Sequence, residues 1–352
     1  MQSTINEQKL NELLGKAIVD FGAAMHAPLV LIGDKLGLYR AMGDGTPVTS
    51  KELAAKTGTN ERYIREWLNA QSASGYVDYD PATASYRMTP EQSMMLANPD
   101  SPAFFIGAFE TALAAAKIHP TLETAFRSGE GIGWHQHDHA LFHGVERFFR
   151  TSYVANLTTQ WIPALDGVAE KLERGIDVAD IACGHGASTV LMAQAYPNSR
   201  FIGFDYHEAS IAAARDRAKA AGVADRVRFE VAPAKTFPGV YDFVATFDAL
   251  HDMGDPQGAA AHVFQSLRKD GTWMIVEPFA GDRVEDNLHP IGRAYYAGST
   301  MICTPCAMAQ EGIALGAQAG EARLRQMVTG GGFTRFRKAT ASPFNLVLEA
   351  RP

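Results

Sequence analysis

Apolar positions return along this chain with two different periods, and the change falls near residue 175. Before it they recur every three or four residues, the spacing of helices buried along one face. Ile5, Leu10, Leu13 and Leu14 share one side of a short amphipathic helix over residues 5–16, and a helical pattern continues through 18–42 until Gly43 and Gly45 stop it. A cap at Thr49 or Ser50, a helix to Lys56, a turn at Gly58, a second cap at Thr59 or Asn60 and a helix to Ser74 make a helix-turn-helix. Residues 75–79 and 85–88, split by Asp80-Pro81, read as the two strands of a wing. Residues 100–165 are helical again and rich in aromatic side chains.

Beyond residue 175 the pattern becomes strand and helix in alternation. Strands fall near 176–181, 200–205, 227–232, 241–247 and 272–277; helices fall near 188–196, 208–221 and 256–268, the last opened by Asp255 as cap and Pro256 at its first position. Short connections between them predict an α/β fold with a parallel, doubly wound sheet. A Gly- and Met-rich insertion follows at 278–318, then a helix at 320–329 and two strands, 333–338 and 344–349, that pair antiparallel at the sheet edge. The chain has 352 residues, too many for one ordinary core. We expect an N-terminal helix and winged-helix dimerisation domain over 1–98, a helical linker or lid over 99–166, and a catalytic domain over 167–352 whose insertion meets the substrate.

Charge narrows the partners. The net charge is −7, and between Asp44 and Glu91 five Lys and Arg stand against seven Asp and Glu. The helix placed to read DNA carries only Arg62 and Arg65, beside Glu61 and Glu66, whereas a DNA reader neutralises several phosphates. A structural role for the winged helix follows, with a cofactor-binding transcriptional regulator as the rival. Three cysteines, Cys183, Cys303 and Cys306, suit a reducing, cytoplasmic setting, and the C-x-x-C of the last two lacks the context of a redox or zinc motif. The N-terminal stretch has no leader pattern, and the apolar run 27–38 is broken by Asp34 and Lys35, short of the ~20 residues of a membrane span. His135, His137 and His139 in one loop, with His143 after them, invite a metal, yet no Cys or fixed acid completes a tetrahedral set.

The chemistry centres on residues 180–188, D-I-A-C-G-H-G-A-S, at the end of the first strand. Two glycines one residue apart, with a helix starting at once, let a backbone approach a nucleotide-like ligand closely. The dinucleotide fingerprint needs a third glycine, which is missing, while Asp205 at the end of the next strand suits two ribose hydroxyls. An acid at Asp180 suits the ammonium group of a cofactor with no pyrophosphate. His251-Asp252 follows the fourth strand and Glu277 ends the fifth. Both open on the carboxyl edge of the sheet, where His251 and Glu277 can meet; the plain alternative is a histidine bonded to Asp252 or to backbone.

Read as [D/E]-x-G-x-G-x-G with Ala182 at the first glycine, the loop resembles the first motif of class I S-adenosylmethionine-dependent methyltransferases. Gly-Gly-Phe333 before two edge strands resembles that family's ending, and L-H-D-M-G-D-P at 250–256 with V-E-P-F-A-G-D-R at 276–283 resembles mycobacterial and other actinobacterial small-molecule methyltransferases. The resemblance implies a Rossmann-like, mostly parallel seven-stranded sheet with an antiparallel last strand. It implies S-adenosylmethionine as cofactor, its amino-acid half at Asp180, Ala182, Cys183, Gly184 and Gly186, its ribose at Asp205 and Tyr206, its adenine by Ala234 and Lys235, and its sulfonium near Phe247 and Asp248. Small-molecule O-methyltransferases have a similar L-H-D-W stretch whose His is the general base, which implies that role for His251 with Glu277 and Asp252 beside it. Trp134, Phe148, Tyr153, Tyr295, Tyr296 and Met301 are the candidate walls of a pocket for a small, fairly apolar acceptor. The alternative is a metal-dependent C-methyltransferase of an α-keto acid, with His251, Asp252 and His289 as ligands. The expected assembly is a homodimer through the N-terminal domain, without membrane or nucleic acid.

Overall fold

The helical pattern over residues 5–16 and on through 18–42 forms one long helix, α1 (Glu7–Lys35), and, after a break at Leu36-Gly37, a short helix Leu38–Met42. The computed structural model describes residues 5–352, so the first four positions of the stretch read for a leader lie outside it. Asn6 caps α1 by accepting from Lys9 N–H, and the helix stops where Gly37 turns left-handed at φ 69°. Pro28 is carried inside it. Only His26, Val30 and Gly33 of α1 are buried; Gly33 passes so close to Tyr39 that a Cβ there would lie 2.5 Å from its ring. Leu13, Leu14, Ile18, Val19, Phe21 and Met25 are all more than half exposed. By length and composition α1 contains an 18-residue stretch apolar enough to cross a membrane, with a mean hydropathy of 1.4; the charges at Asp34 and Lys35 sit at the end of the helix.

α1 belongs to one of two compact units, Met1–Leu113 together with His143–Thr151; the other is Ala114–Phe142 together with Ser152–Pro352. The stretch 99–166 contributes to both. In the first unit, α2 (Ser50–Thr57) starts with a capping box between Thr49 and Glu52, and α3 (Glu61–Ala73) is capped by Asn60 after the left-handed Gly58. The wing strands β1 (Asp78–Asp80) and β2 (Ser85–Arg87) pair antiparallel. Leu53, Ile64, Trp67, Leu68 and Tyr86 form the core of this unit. On the outer face of α3, Arg62 pairs with Glu66 and Arg65 with Glu61, each at 2.6 Å.

In the second unit the alternating pattern becomes β3 (Asp177–Ile181), α4 (Ala187–Ala195), β4 (Arg200–Asp205), α5 (Glu208–Ala220), β5 (Val227–Val231), β6 (Tyr241–Phe247), α6 (Pro256–Ser266) and β7 (Leu267–Pro278). After the insertion come α8 (Gly320–Gly330), β8 (Arg335–Ala341) and β9 (Asn345–Arg351), α7 being Pro290–Gly298 within the insertion. The strand order is β5-β4-β3-β6-β7-β9-β8, with the first five parallel and β9 slotted antiparallel between β7 and β8. Parallel strands covered on both faces read as unbroken apolar runs, and β6 and β7 are buried along most of their length for that reason. The order reverses between β3 and β6, so the crevice beyond their carboxyl ends gathers the glycine loop, Asp205, the turn after β6 and Glu277.

The insertion is mostly helical, not irregular: a 3-10 turn Val284–Asn287, α7, a π turn Ser299–Cys303 and a helix Thr304–Met308. It is stitched to the turn after β6, with Gly316 N–H reaching His251 O at 3.3 Å and Ile313 N–H reaching Gly254 O at 3.2 Å.

At the head of the glycine loop Ala182 takes φ 57°, a conformation that crowds an L residue's Cβ against the next carbonyl. The motif's first glycine is absent although the backbone there takes the left-handed conformation that favours one. Ala182→Gly is expected to raise stability by about 0.5–1 kcal/mol, the relief of crowding partly offset by a freer unfolded chain. Urea unfolding measures it; an unmoved midpoint would mean that the alanine carries no strain.

Candidate active site

The loop after β3 is held from below. Asp180 is buried, and its Oδ2 accepts from the hydroxyls of Ser188 and Thr189, both at 2.6 Å, fastening the first turn of α4 to the strand. Its Oδ1 is buried with no partner among the described residues. Burial pushes this carboxyl up to about 6, against the two hydroxyls, which lower it. Gly186 must be a glycine twice over: φ is 73°, and a Cβ would meet the Phe229 ring at 2.6 Å. Gly184, at φ 51°, faces open space.

Asp205, at the end of β4, accepts from Gly184 N–H at 2.9 Å through Oδ2 and from His207 N–H at 2.8 Å through Oδ1. Each oxygen keeps a lone pair for a further donor. Burial raises its pKa in spite of both backbone bonds. This set fits S-adenosylmethionine: the open backbone at Gly184, a carboxylate poised for ribose hydroxyls, and an orphaned acceptor on Asp180 for a cationic donor. Tyr206 is half exposed beside Asp205. Cys183 is buried, Ala234 packs on the domain core, and Lys235 turns to Asp255 at 3.1 Å.

The pairing of β6 with β7 sets Phe247 opposite Val276, so the residues after one strand meet the end of the other. Glu277 Oε1 accepts from Leu250 N–H at 2.9 Å, and Oε2 lies 2.6 Å from His251 Nδ1. One carboxylate thereby holds both the backbone and the ring of the 3-10 turn Leu250–Asp252. The carboxylate places a proton on Nδ1, and Nε2 lies 3.3 Å from Cys303 Sγ. Burial alone lowers the pKa of His251, but the Glu277 carboxylate and the Cys303 thiol together outweigh it and hold the imidazole well above its usual value.

Two more acids share the crevice. Asp248, at φ 48°, accepts from Tyr153 OH at 2.9 Å and from Asn345 Nδ2 at 3.0 Å; burial, then the charge of Glu277, push it up to about 8. Asp252 is pushed up to about 7 by burial, with His251 pulling the other way.

The expected pocket residues divide. Tyr153 stacks on Phe247 at 5.1 Å, Tyr295 OH donates to Phe344 O at 2.9 Å, and Tyr296 and Met301 are half-buried on the insertion. Trp134 packs on Phe142 at 4.9 Å, whose ring in turn meets His207. Phe148 falls in the first unit, packed on Phe105. The four neighbouring histidines are not gathered: His135 and His139 are exposed, His137 is buried, and His143 bonds Glu110 in the first unit. His289 is occupied as the cap of α7, its Nδ1 accepting from Gly292 N–H, and among the described residues no three His, Cys, Asp or Glu are placed to hold a metal. The sequence marks neither Cys303 beside His251 nor Asn345 beside Asp248: no motif announces Asn345, and the C-x-x-C spacing of Cys303 does not point to a histidine.

Residues 172–330 match the family described as "Methyltransferase domain", and residues 24–98 match the "Rv2258c-like winged HTH domain". Over 123 residues the chain is 31% identical to trans-aconitate 2-methyltransferase of Variovorax paradoxus, covering 34% of this chain and 44% of that protein. The chain thus spans less than half the length of the curated relatives it matches. A putative O-methyltransferase from Nostoc punctiforme superposes with a TM-score of 0.73 at 19% identity, covering 99% of this chain and all of that one. Human N-acetylserotonin methyltransferase, solved with S-adenosylmethionine, superposes at 0.69 and 16% identity over 100% of this chain and 99% of its own. At those identities the likeness is one of fold, and it spans the winged domain as well as the sheet. Residues 172–330 therefore resemble a methyltransferase domain, with the sheet of the class I methyltransferase fold, and they follow a segment that resembles an Rv2258c-like winged helix-turn-helix domain.

Proposed function

We propose that the protein transfers a methyl group to a hydroxyl of a small, fairly apolar organic acceptor, with His251 as general base. The observation that carries this reading is the 2.6 Å bond between Glu277 and His251 Nδ1, which leaves Nε2 as the nitrogen free of the carboxylate. Bound S-adenosylmethionine supplies the methyl as a carbon already activated by its sulfonium. Asp205 takes the ribose hydroxyls, Gly184 and Gly186 let the backbone come close, and Phe247 and Asp248 close the crevice beside them. Alignment is the larger part of catalysis here, and proton removal adds ~10²–10⁴-fold for a hydroxyl acceptor. Glu277 fixes the ring and balances the imidazolium that forms; Tyr153, Tyr295, Tyr296 and Met301 wall the acceptor. Asp252, on the same turn, is coupled to the ring, with His251 lowering its pKa against burial.

The finer kinship to actinobacterial small-molecule methyltransferases is part of the same proposal, supported by the motifs at 250–256 and 276–283. So are a homodimer through the N-terminal domain, supported by the exposed apolar length of α1, and a cytoplasmic setting, supported by three free thiols. Nothing favours the regulator, since Arg62 and Arg65 are each engaged by a glutamate of their own helix.

With labelled S-adenosylmethionine and a panel of phenols, carboxylic acids and keto acids, His251→Ala is expected to lower kcat/KM by ~10²–10⁴-fold. An undiminished rate would end the base assignment, and activity lost to a chelator and restored by metal would favour the C-methyl alternative. The resting imidazole is held above its usual pKa, so it must shed a proton before it can accept one. The rate is therefore expected to rise with pH along a limb centred above 6.5, and Glu277→Gln to move that limb to lower pH. For the assembly, light scattering on Leu14→Glu/Ile18→Glu is expected to report one chain where the parent reports two. A parent that is monomeric, or that co-sediments with lipid vesicles, would remove the dimer reading.

A further inference from the structure

The working nitrogen of His251 already has a partner in the protein. Cys303 Sγ lies 3.3 Å from Nε2, where an acceptor hydroxyl would have to come. Its position is fixed by the insertion: Cys303 ends the π turn that begins at Ser299, and Ser299 Oγ accepts from Ala317 N–H at 3.0 Å. The neighbouring Gly316 N–H is bonded to His251 O, so the turn bearing the thiol and the turn bearing the base are tied to one short segment. The other two thiols differ. Cys183 and Cys306 are 8% and 3% exposed, and burial pushes both thiols up, whereas Cys303 is half-buried and stands against an imidazole whose far nitrogen is clamped by a carboxylate. That relay of thiol, imidazole and carboxylate is how proteins activate a sulfur nucleophile.

We propose that Cys303 is a reactive thiol, and that its covalent modification by a soft electrophile blocks His251. The reactivity stands on the geometry alone; only its consequence for methyl transfer rests on His251 being the base. With a haloacetamide, the sulfur attacks the carbon bearing the halogen and a C–S bond forms. The carbon–halogen bond breaks, the halide leaves with its electron pair, and His251 Nε2, once it has shed its resting proton to solvent, takes the thiol proton. The added group then fills the space in front of Nε2.

The test is iodoacetamide labelling of the native full-length chain, with each cysteine followed by peptide mass spectrometry. Cys303 is expected to label at least about tenfold faster than Cys183 and Cys306, an advantage that base assistance readily supplies. His251→Gln should remove most of that advantage. Because glutamine at 251 disturbs the turn, Glu277→Gln is read in parallel and should slow Cys303 labelling while the imidazole is still present. Equal labelling of the three cysteines, or a Cys303 rate unchanged in both variants, would overturn the proposal. For the consequence, alkylated protein should still bind S-adenosylhomocysteine by calorimetry yet lose methyl transfer, whereas Cys303→Ser should keep, after the same treatment, whatever rate it had before it. Alkylated protein with undiminished turnover would overturn the block. Failure of the methyltransferase reading would look different: untreated protein that neither binds S-adenosylhomocysteine nor turns over, with the labelling rates unaffected.

Discussion

A single carboxylate, that of Glu277, ties the end of β7 to the turn after β6 by taking a backbone N–H with one oxygen and an imidazole with the other. Both partners are buried, Glu277 at 1% exposure and His251 at 3%. A buried charge without its partner costs roughly 3–5 kcal/mol, so this pair is sustained only while both strands keep their register. The register is secured on the far side by β9, which runs antiparallel to β7 and sets Leu346 opposite Glu277. Thus the reversed last strand, far from Glu277 in sequence, completes the wall on which the proposed base depends. It also delivers Asn345, whose amide reaches Asp248 beside the same carboxylate.

Much of this was legible because it is local. The strands at 200–205 and 241–247 fall where alternation puts them, and the acid and two glycines of the loop lie within seven residues. His251 and Glu277 could be brought together from sequence because a doubly wound sheet sends every parallel strand end to one edge. What was not legible came from distant pairings. Cys303 reaches the base through a helical insertion whose length says nothing about its path. The helical pattern over 18–42 does not show the break at Leu36-Gly37, which a left-handed glycine makes without interrupting the apolar spacing. Asp180 was read as a ligand for an ammonium group, and half of its carboxylate instead holds Ser188 and Thr189; a sequence shows an acid in the motif without showing which way its oxygens face.

Asp180, Asp252 and Asp248 are pushed up to about 6, 7 and 8, each first by burial. A carboxyl raised in the folded state favours folding in its protonated form. That contribution is whole below the unfolded value near 4 and is lost as pH rises through 6 to 8. At neutral pH the crevice therefore holds more negative charge, actual or incipient, than His251 alone offsets: the imidazole is bonded to Glu277 and also draws on Asp248 and Asp252, while Asp180 has two hydroxyls. A cation entering the crevice favours the ionised form of each acid it faces, and by linkage it binds more tightly once those protons are gone. The sulfonium and ammonium groups of the expected cofactor carry that charge, while a neutral nucleoside or an anionic dinucleotide does not.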